Sequence, residues 1–267
     1  MKRSVRGAVP FVLFRGLCDI RRKAGCMEIA RGSLETCSRE TDTVVAIDVL
    51  RAFSTAAYAF AAGVDSIALV ATVEEAFALR DRLPGVLLMG EVGGLPIEGF
   101  DFGNSPAPFE RLDLTGRRMV QRTSAGTQGI VRSRHARHLL AASFCCAGAT
   151  VEYLHRLNPE KVTLVPTGRG ENGGQGDEDV ACADYLEALL KGERPDGGPH
   201  LRRVRESRAG RKFLDPEQPD FPLRDLERCM EIDRFAFALL VRREAGLLLM
   251  RNEPMTGEER PIAGSAS

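Results

Sequence analysis

An aspartate near the end of an apolar run is the first candidate for chemistry. The run Val44–Val49 predicts a buried strand, Asp48 lies near its end, and Arg51 begins the predicted helix that follows. A carboxylate placed there could hold a divalent cation or act as a nucleophile. It could equally cap the helix and pair with Arg51, so Asp48 alone does not decide between the two interpretations.

The second candidate is the stretch QRTSAGTQG at 121–129, which joins a predicted strand to a predicted helix. Small hydroxyl residues and glycine would let its backbone N–H groups converge on an anion: Thr123, Ser124, Gly126 and Thr127. Arg122 would add a charged donor. The G-x-x-x-x-G-K pattern of a Walker motif is absent, so turn formation explains the stretch as well as phosphate binding does.

Two further loops supply oxygen atoms. The loop at 167–179 has five glycines and ends in Asp177, Glu178 and Asp179, where a helix dipole would favour acids. Carboxylates are also the ligands of a hard cation such as Mg2+, which makes Asp177 and Asp179 candidate ligands. The long loop at 90–108 adds three more polar side chains, each of which could instead be a turn former: Glu91, Asp101 and Asn104.

Histidine and cysteine chemistry has little support. The four histidines show no ligand spacing. The seven cysteines contain no C-x-x-C pair, which favours small buried thiols in a reduced cytoplasm over a disulfide framework or a zinc site.

Alternating strands and helices must position these loops. Further strands are predicted at Ser66–Val70, Val86–Met89, Arg118–Gln121, Leu139–Phe144 and Lys161–Pro166, and helices at 51–62, 72–82, 128–138, 147–157 and 178–190. Right-handed crossovers would place the strand-to-helix loops on one edge of the sheet. The predicted fold class is α/β, with layered α/β/α architecture and a largely parallel or mixed sheet.

The rest of the chain predicts one domain with irregular additions. A single α/β domain is expected over 27–252, with an irregular excursion at 192–222 that is rich in Pro and Arg, followed by a helix at Leu223–Arg242. Residues 253–267 are expected to form a frayed tail. Residues 1–26 hold seven basic groups and one acid, and predict a disordered basic extension or an upstream choice of start codon.

Charge and hydropathy exclude two classes of partner. The chain is neutral overall, so the +6 of residues 1–26 leaves −6 on the remainder, which disfavours non-specific nucleic-acid binding. No apolar stretch approaches the roughly 20 residues needed to cross a bilayer. A small-molecule phosphate ester is the expected partner, and a homo-oligomer is left open.

In order along the chain, these loops resemble the 2-phosphosulfolactate phosphatase family. The resemblance runs from about Thr41 to Tyr185, more weakly to about Leu240, and is carried by IDVLRA at 47–52, GE at 90–91, GFDFGNSP at 99–106, TSAGT at 123–127, SF at 143–144 and ED at 178–179. It implies a family-specific α/β fold, Mg2+ dependence and hydrolysis of 2-phosphosulfolactate to sulfolactate and phosphate, a step of coenzyme M biosynthesis. The D-x-D pair of the haloacid dehalogenase phosphatases is absent.

Two departures from the family pattern bear on specificity. The family's T-T-N-G-T has Ala125 in place of Asn, and its S-F-x-N has Cys146 in place of Asn. Each change removes an amide able to hydrogen-bond substrate, and a ligand group left unpaired costs about 1–3 kcal/mol. Arg122 is expected to offset the loss by binding a second anion on the substrate.

The resulting hypothesis is a Mg2+-dependent phosphatase acting on a small anionic phosphate ester. Catalysis is assigned to Asp48, Arg51, Glu91 and Asp179, metal binding to Asp48, Glu91, Asp101, Asp177 and Asp179, and substrate binding to Arg122, Thr123, Ser124, Gly126, Thr127 and Asn104. Asp48 could attack phosphorus or orient a metal-bound water. The alternative is a non-catalytic anion-binding or regulatory protein on a degenerate phosphatase scaffold.

Overall fold

The computed structural model describes residues 27–170 and 174–255. The predicted extension at 1–26, residues 171–173 of the third loop and tail residues 256–267 lie outside this part of the chain. The strands are β1 (Glu28–Arg31), β2 (Thr43–Ile47), β3 (Ser66–Val70), β4 (Leu87–Val92), β5 (Leu95–Pro96), β6 (Arg118–Arg122), β7 (His138–Ala142), β8 (Lys161–Pro166), β9 (Phe237–Glu244) and β10 (Leu247–Pro254). The α-helices are α1 (Ala52–Ala61), α2 (Val73–Arg82), α3 (Gly126–Arg132), α4 (Ala147–Leu157), α5 (Asp177–Leu190), α6 (Gly197–Glu206), α7 (Arg208–Lys212) and α8 (Leu223–Cys229).

These strands form one mixed sheet in the order β1-β8-β2-β7-β9-β10-β3-β6-β4-β5. Two parallel blocks, β1-β8-β2-β7 and β3-β6-β4, flank the antiparallel β9–β10 hairpin. Because β9 is antiparallel to β7 and β10 to β3, the two blocks run in opposite senses within the sheet. The predicted α/β class with a mixed sheet is confirmed.

The sheet curls around α1, and this curl brings the loops together. In a flat sheet, blocks of opposite sense would put the carboxyl ends of β2 and β6 at opposite edges. Instead, Gln121 Nε2 at the end of β6 donates to the Ala52 carbonyl after β2, at 2.9 Å. Residues 52–60 of α1 are all buried, and apolar side chains from both parallel blocks and the hairpin join the same core. Accumulated strand twist across ten strands accounts for the curl.

Two further cores cover the outer face of the sheet. Under the first block, β2, β7 and β8 pack against α4 and α5. Under the second block, β3, β4 and β6 pack against α2, which begins with a capping box formed by Thr72 and Glu75. Within the described residues, no helix has both the length and the apolar character that a bilayer span requires.

The predicted helix at Leu223–Arg242 is wrong beyond Cys229. Phe237–Glu244 is β9, which turns through Ala245 and Gly246 into β10. Both turn residues have positive φ, 49° and 79°, as a two-residue hairpin turn requires. The apolar residues of this segment fit the periodicity of a helix as well as that of a strand. The hairpin turn is the feature that makes the segment a pair of strands. Residues 253 and 254 belong to β10, so the strand continues into the predicted tail.

Two other segments differ from expectation. The predicted irregular excursion at 192–222 contains α6 and α7, with Asp196 and Ser207 as helix caps. Pro199 lies in the first turn of α6, where a missing N–H is tolerated. The helix predicted over 128–138 is instead the seven-residue α3, and His138 already opens β7.

Candidate active site

Asp48 lies at the centre of the site. It follows β2 and is 5% exposed, and its carboxylate accepts hydrogen bonds from the backbone N–H groups of Ala52, at 2.9 Å, and Gly126. A Cβ on Gly126 would come within 2.8 Å of Asp48 Oδ2, so only glycine fits there. Burial, together with the charges of the nearby carboxylates of Glu91 and Glu178, raises the pKa of Asp48 to about 7.

Asp179 holds the ends of two neighbouring strands together. From the first turn of α5 its carboxylate accepts the N–H groups of Val49 at 2.8 Å, Gly168 at 2.7 Å and Thr167 at 3.2 Å. It is 1% exposed. Burial, followed by the charges of Asp48 and Glu178, raises its pKa well above the usual range of an aspartate.

Glu178 is a site residue that the assignment from sequence did not include. It is 5% exposed, and a Cβ on Gly168 would lie 2.8 Å from its Oε1 and 2.9 Å from Asp179 Oδ2. Burial raises its pKa, and its charge raises the pKa values of Asp48 and Asp179. The signal was present in the acidic run at 177–179, but consecutive helical residues point about 100° apart, so the run alone does not show which acids face the sheet.

Glu91 closes the site from the end of β4. Its Oε1 accepts the Ser124 N–H at 2.5 Å, and its Oε2 accepts the Gly94 N–H at 2.5 Å and the Ser124 hydroxyl at 3.1 Å. Donors expected to bind a phosphate therefore hold a carboxylate of the protein here.

The two threonines of the 123–127 loop, Thr123 and Thr127, stabilise the loop itself. Thr123 N–H donates to Thr127 Oγ1 at 2.9 Å, and Thr127 N–H donates to Thr123 Oγ1 at 3.0 Å. Both residues are fully buried. This reciprocal pair fixes the turn that presents Ser124 and Gly126 to Glu91 and Asp48.

The two predicted arginines have different environments. Arg51 is 5% exposed and pairs with Asp225 at 2.7 Å, so the suggested Asp48–Arg51 pair is not formed. Arg122 donates through Nη1 to the Glu91 carbonyl at 2.8 Å, while its buried Nε has no hydrogen-bond partner among the described residues. Arg122 is therefore the cation at the site with a donor to spare.

Asp101 and Asp177 do not join the buried carboxylates of Asp48, Glu91, Glu178 and Asp179. Asp101 is exposed, and its carboxylate accepts the Leu88 N–H at 2.8 Å. Asp177 is also exposed and pairs with Arg203 at 2.6 Å. Asn104 is 6% exposed, and its Oδ1 is a buried acceptor without a partner in the described chain.

Four buried carboxylates thus lie near one another without an ion-pair partner: Asp48, Glu91, Glu178 and Asp179. Within residues 27–170 and 174–255, no Lys, Arg or His forms an ion pair with any of them. Hard oxygen donors with excess negative charge fit Mg2+ in kind. The same residues hold no group of three or more His, Cys, Asp or Glu placed to share one ion. Mg2+ is usually bound in proteins by only one or two carboxylates, together with water and substrate phosphate.

The cysteines are packing residues in the described chain. Cys37, Cys145, Cys146, Cys182 and Cys229 are free and buried, as predicted, and Cys18 and Cys26 lie outside the described residues. Cys146, in place of the family's Asn, is fully buried in the core around α1.

Comparison with known proteins gives a consistent match. A family model described as 2-phosphosulpholactate phosphatase matches residues 31–243. A protein from Bacillus subtilis named probable 2-phosphosulfolactate phosphatase is 32% identical over 206 residues, which cover 76% of this chain and 88% of that relative. Relatives of the same name from Carboxydothermus hydrogenoformans and Deinococcus radiodurans are 40% and 38% identical, over 61% and 68% of their own lengths.

The matched region contains the whole carboxylate cluster and the loops that hold it. It also covers most of the chain, so the resemblance carried by the individual segments is confirmed. The chain belongs to the 2-phosphosulfolactate phosphatase family, a family of phosphoric monoester hydrolases.

Proposed function

We propose that this protein is a Mg2+-dependent phosphatase that hydrolyses 2-phosphosulfolactate, or a closely related anionic phosphate monoester, to the hydroxy acid and phosphate. The observation that carries the proposal is the cluster of four buried carboxylates, none of which forms an ion pair within the described residues. Burying like charges together is unfavourable unless a cation compensates them. The printed names of the relatives support the choice of substrate.

Each residue would have a distinct part in the reaction. Asp48 and Glu91 would hold Mg2+, which when bound would neutralise phosphate charge and favour attack by water. Asp48 would either attack phosphorus or take the proton of the attacking water, as its position at the end of β2 allows both. The partly exposed Arg122 would bind a phosphate or sulfonate oxygen through its guanidinium. Asp179 would keep the ends of β2 and β8 in register.

Phosphate release is the direct test. Protein beginning at Met27 would be assayed with 2-phosphosulfolactate and a panel of sugar and hydroxy-acid phosphates, with Mg2+ and with EDTA. We expect turnover of 2-phosphosulfolactate that EDTA abolishes and Mg2+ restores. Activity unaffected by EDTA would refute the metal dependence, and tight binding of substrate without turnover would favour a non-catalytic binding protein.

Substitution of Asp48 tests the site itself. Asp48→Asn keeps an oxygen for the Ala52 N–H and removes the charge, and we expect kcat/KM to fall about 10²–10⁴-fold. Asp101→Asn makes the same chemical change outside the cluster and should retain activity within a few-fold. Equal losses in the two variants would contradict the assignment.

A further inference from the structure

The buried carboxylate of Asp225 on α8 is bonded to three groups and has no part in the function proposed above. It is 0% exposed. Its Oδ2 accepts Arg51 Nη1 at 2.7 Å, and its Oδ1 accepts the Ser105 hydroxyl at 2.7 Å and the Ala107 N–H at 3.2 Å. Asp225 therefore joins α8 both to the residue preceding α1 and to the loop after β5.

Arg51 is held rigidly by its surroundings. Nη1 also donates to the Asp220 carbonyl at 2.9 Å, and Nη2 donates to the Gly94 carbonyl at 3.0 Å. The guanidinium carbon lies 5.3 Å from the ring centre of Phe213 and 5.1 Å from that of Phe221. A planar, multiply bonded guanidinium beside two rings has a fixed orientation, which a lysine could not reproduce.

Gly94 connects this arginine to the active site. Its carbonyl accepts Arg51 Nη2, and its N–H donates to Glu91 Oε2 at 2.5 Å. Arg51 thus contacts the turn after β4, and that turn donates to the Glu91 carboxylate from one side while Ser124 donates to it from the other.

We propose that Asp225, acting through Arg51, is a positioning residue that holds the turn at Gly94 and thereby fixes the Glu91 carboxylate beside Asp48. Asp225 does not reach the reacting groups itself, because its oxygens are already occupied by Arg51, Ser105 and Ala107. Arg51 then serves to position Glu91 rather than to act on the substrate, in contrast to its assignment to catalysis from sequence. The effect on catalysis rests on the function proposed above, whereas the effect on the turn does not.

Amide hydrogen exchange in the metal-free protein tests the positioning without relying on activity. The variant Asp225→Asn keeps the shape of the side chain and removes its charge. We expect the Gly94 and Ser124 amides, which donate to Glu91, to exchange at least about 10-fold faster, and the Leu140 amide in β7 to be unchanged. Unchanged exchange at Gly94 and Ser124 would overturn the proposal.

A matched variant separates positioning from general destabilisation. Asp233 also bonds a backbone amide through its carboxylate, that of Gly148 at 2.6 Å, and Asp233→Asn leaves the Arg51 contacts intact. Mn2+ serves as the probe for the proposed Mg2+ site. Its affinity, measured by calorimetry, should fall about 10–100-fold in Asp225→Asn and remain within 2-fold in Asp233→Asn. Equal affinities in the two variants would refute a role in metal binding.

Arg51→Lys provides the second route if Asp225→Asn does not fold. This variant keeps a cation for Asp225 and loses the planar donor to Gly94, so we expect the same faster exchange at Gly94 and Ser124 and the same weaker Mn2+ binding. Wild-type behaviour in both measurements would overturn the proposal. If wild-type protein neither binds Mn2+ nor releases phosphate, the proposed function fails. The exchange result at Gly94 and Ser124 then still decides whether Asp225 positions the turn.

Discussion

At the scale of single residues, the site uses backbone N–H groups to hold its acids and gives them no ion-pair partner within the described residues. Asp48, Glu91 and Asp179 were identified from their places at the ends of predicted strands or the start of a helix, and the structure brings them together. Glu178 was not assigned, and Asp177 was. In the helix that both occupy, only the residues facing the sheet can join the cluster, and a one-dimensional run of acids does not reveal that face.

This difference between neighbours is testable. Glu178→Gln removes a buried charge from the cluster and should weaken Mn2+ binding and lower kcat/KM, each by at least about 10-fold. Asp177→Asn loses only an exposed pair with Arg203, worth about 1 kcal/mol or less, and should leave both quantities within 2-fold. Calorimetry and phosphate release would measure them, and a larger loss in Asp177→Asn would reverse the assignment.

Ala125 and Cys146 allow a second test at this scale. Ala125 is partly exposed between Ser124 and Gly126, so Ala125→Asn would present an amide to substrate and lower KM about 2- to 10-fold, from a net hydrogen bond of about 0.5–1.5 kcal/mol. Cys146→Asn should instead destabilise the fold without lowering KM, because that side chain lies in the core around α1. Steady-state kinetics and urea unfolding distinguish the two effects. An unchanged KM in Ala125→Asn would remove position 125 from substrate binding.

At the scale of elements, most of the parallel strands and their helices follow from sequence, and the central hairpin does not. The bounds predicted for β3, β8 and α4 match the structure, because short apolar runs mark the two strands and Asn158, in the left-handed conformation, ends α4. β9 and β10 pair with each other through a two-residue turn, but β9 also pairs with β7, about 100 residues away, and β10 with β3, about 180 residues away. These two non-local pairings place the hairpin between the parallel blocks, and they leave no local pattern to read.

The hairpin joins the two parallel blocks, so its core should be sensitive to truncation. Met250 in β10 is fully buried against β3 and α1, and Met250→Ala should lower the free energy of unfolding by about 2–5 kcal/mol. Arg251 next to it forms exposed ion pairs with Asp65 and Glu244, and Arg251→Ala should cost about 1 kcal/mol or less. Urea denaturation monitored by circular dichroism measures both, and similar losses in the two variants would contradict a central role for the hairpin.

At the scale of the whole molecule, the site exists because a mixed sheet curls. The expectation that all loops meet at one edge came from parallel βαβ geometry, yet the two blocks run in opposite senses. The ends of β2 and β6 meet over the first turn of α1 only because the sheet wraps around that helix. Sequence patterns define strands and helices, whereas the accumulated twist that closes the site is a property of the assembled sheet.

The closed site should make the folded protein less stable without metal than with it. Folding brings four acids together, and burial raises the pKa of Asp48 to about 7, so at pH 8 its charge opposes folding. The proposed Mg2+ would bind only the folded chain, so it should raise the stability by about 2.7 kcal/mol at one hundred times Kd. Asp48→Asn removes one of the opposing charges, so in EDTA at pH 8 this variant should melt at a higher temperature than the wild type and gain little stability from added Mg2+.

Differential scanning calorimetry of both proteins, with and without Mg2+, makes the comparison, and Asp101→Asn, which should behave as wild type, is the control. A lower melting temperature for Asp48→Asn in EDTA would show that Asp48 stabilises the fold rather than opposing it for the sake of a cation.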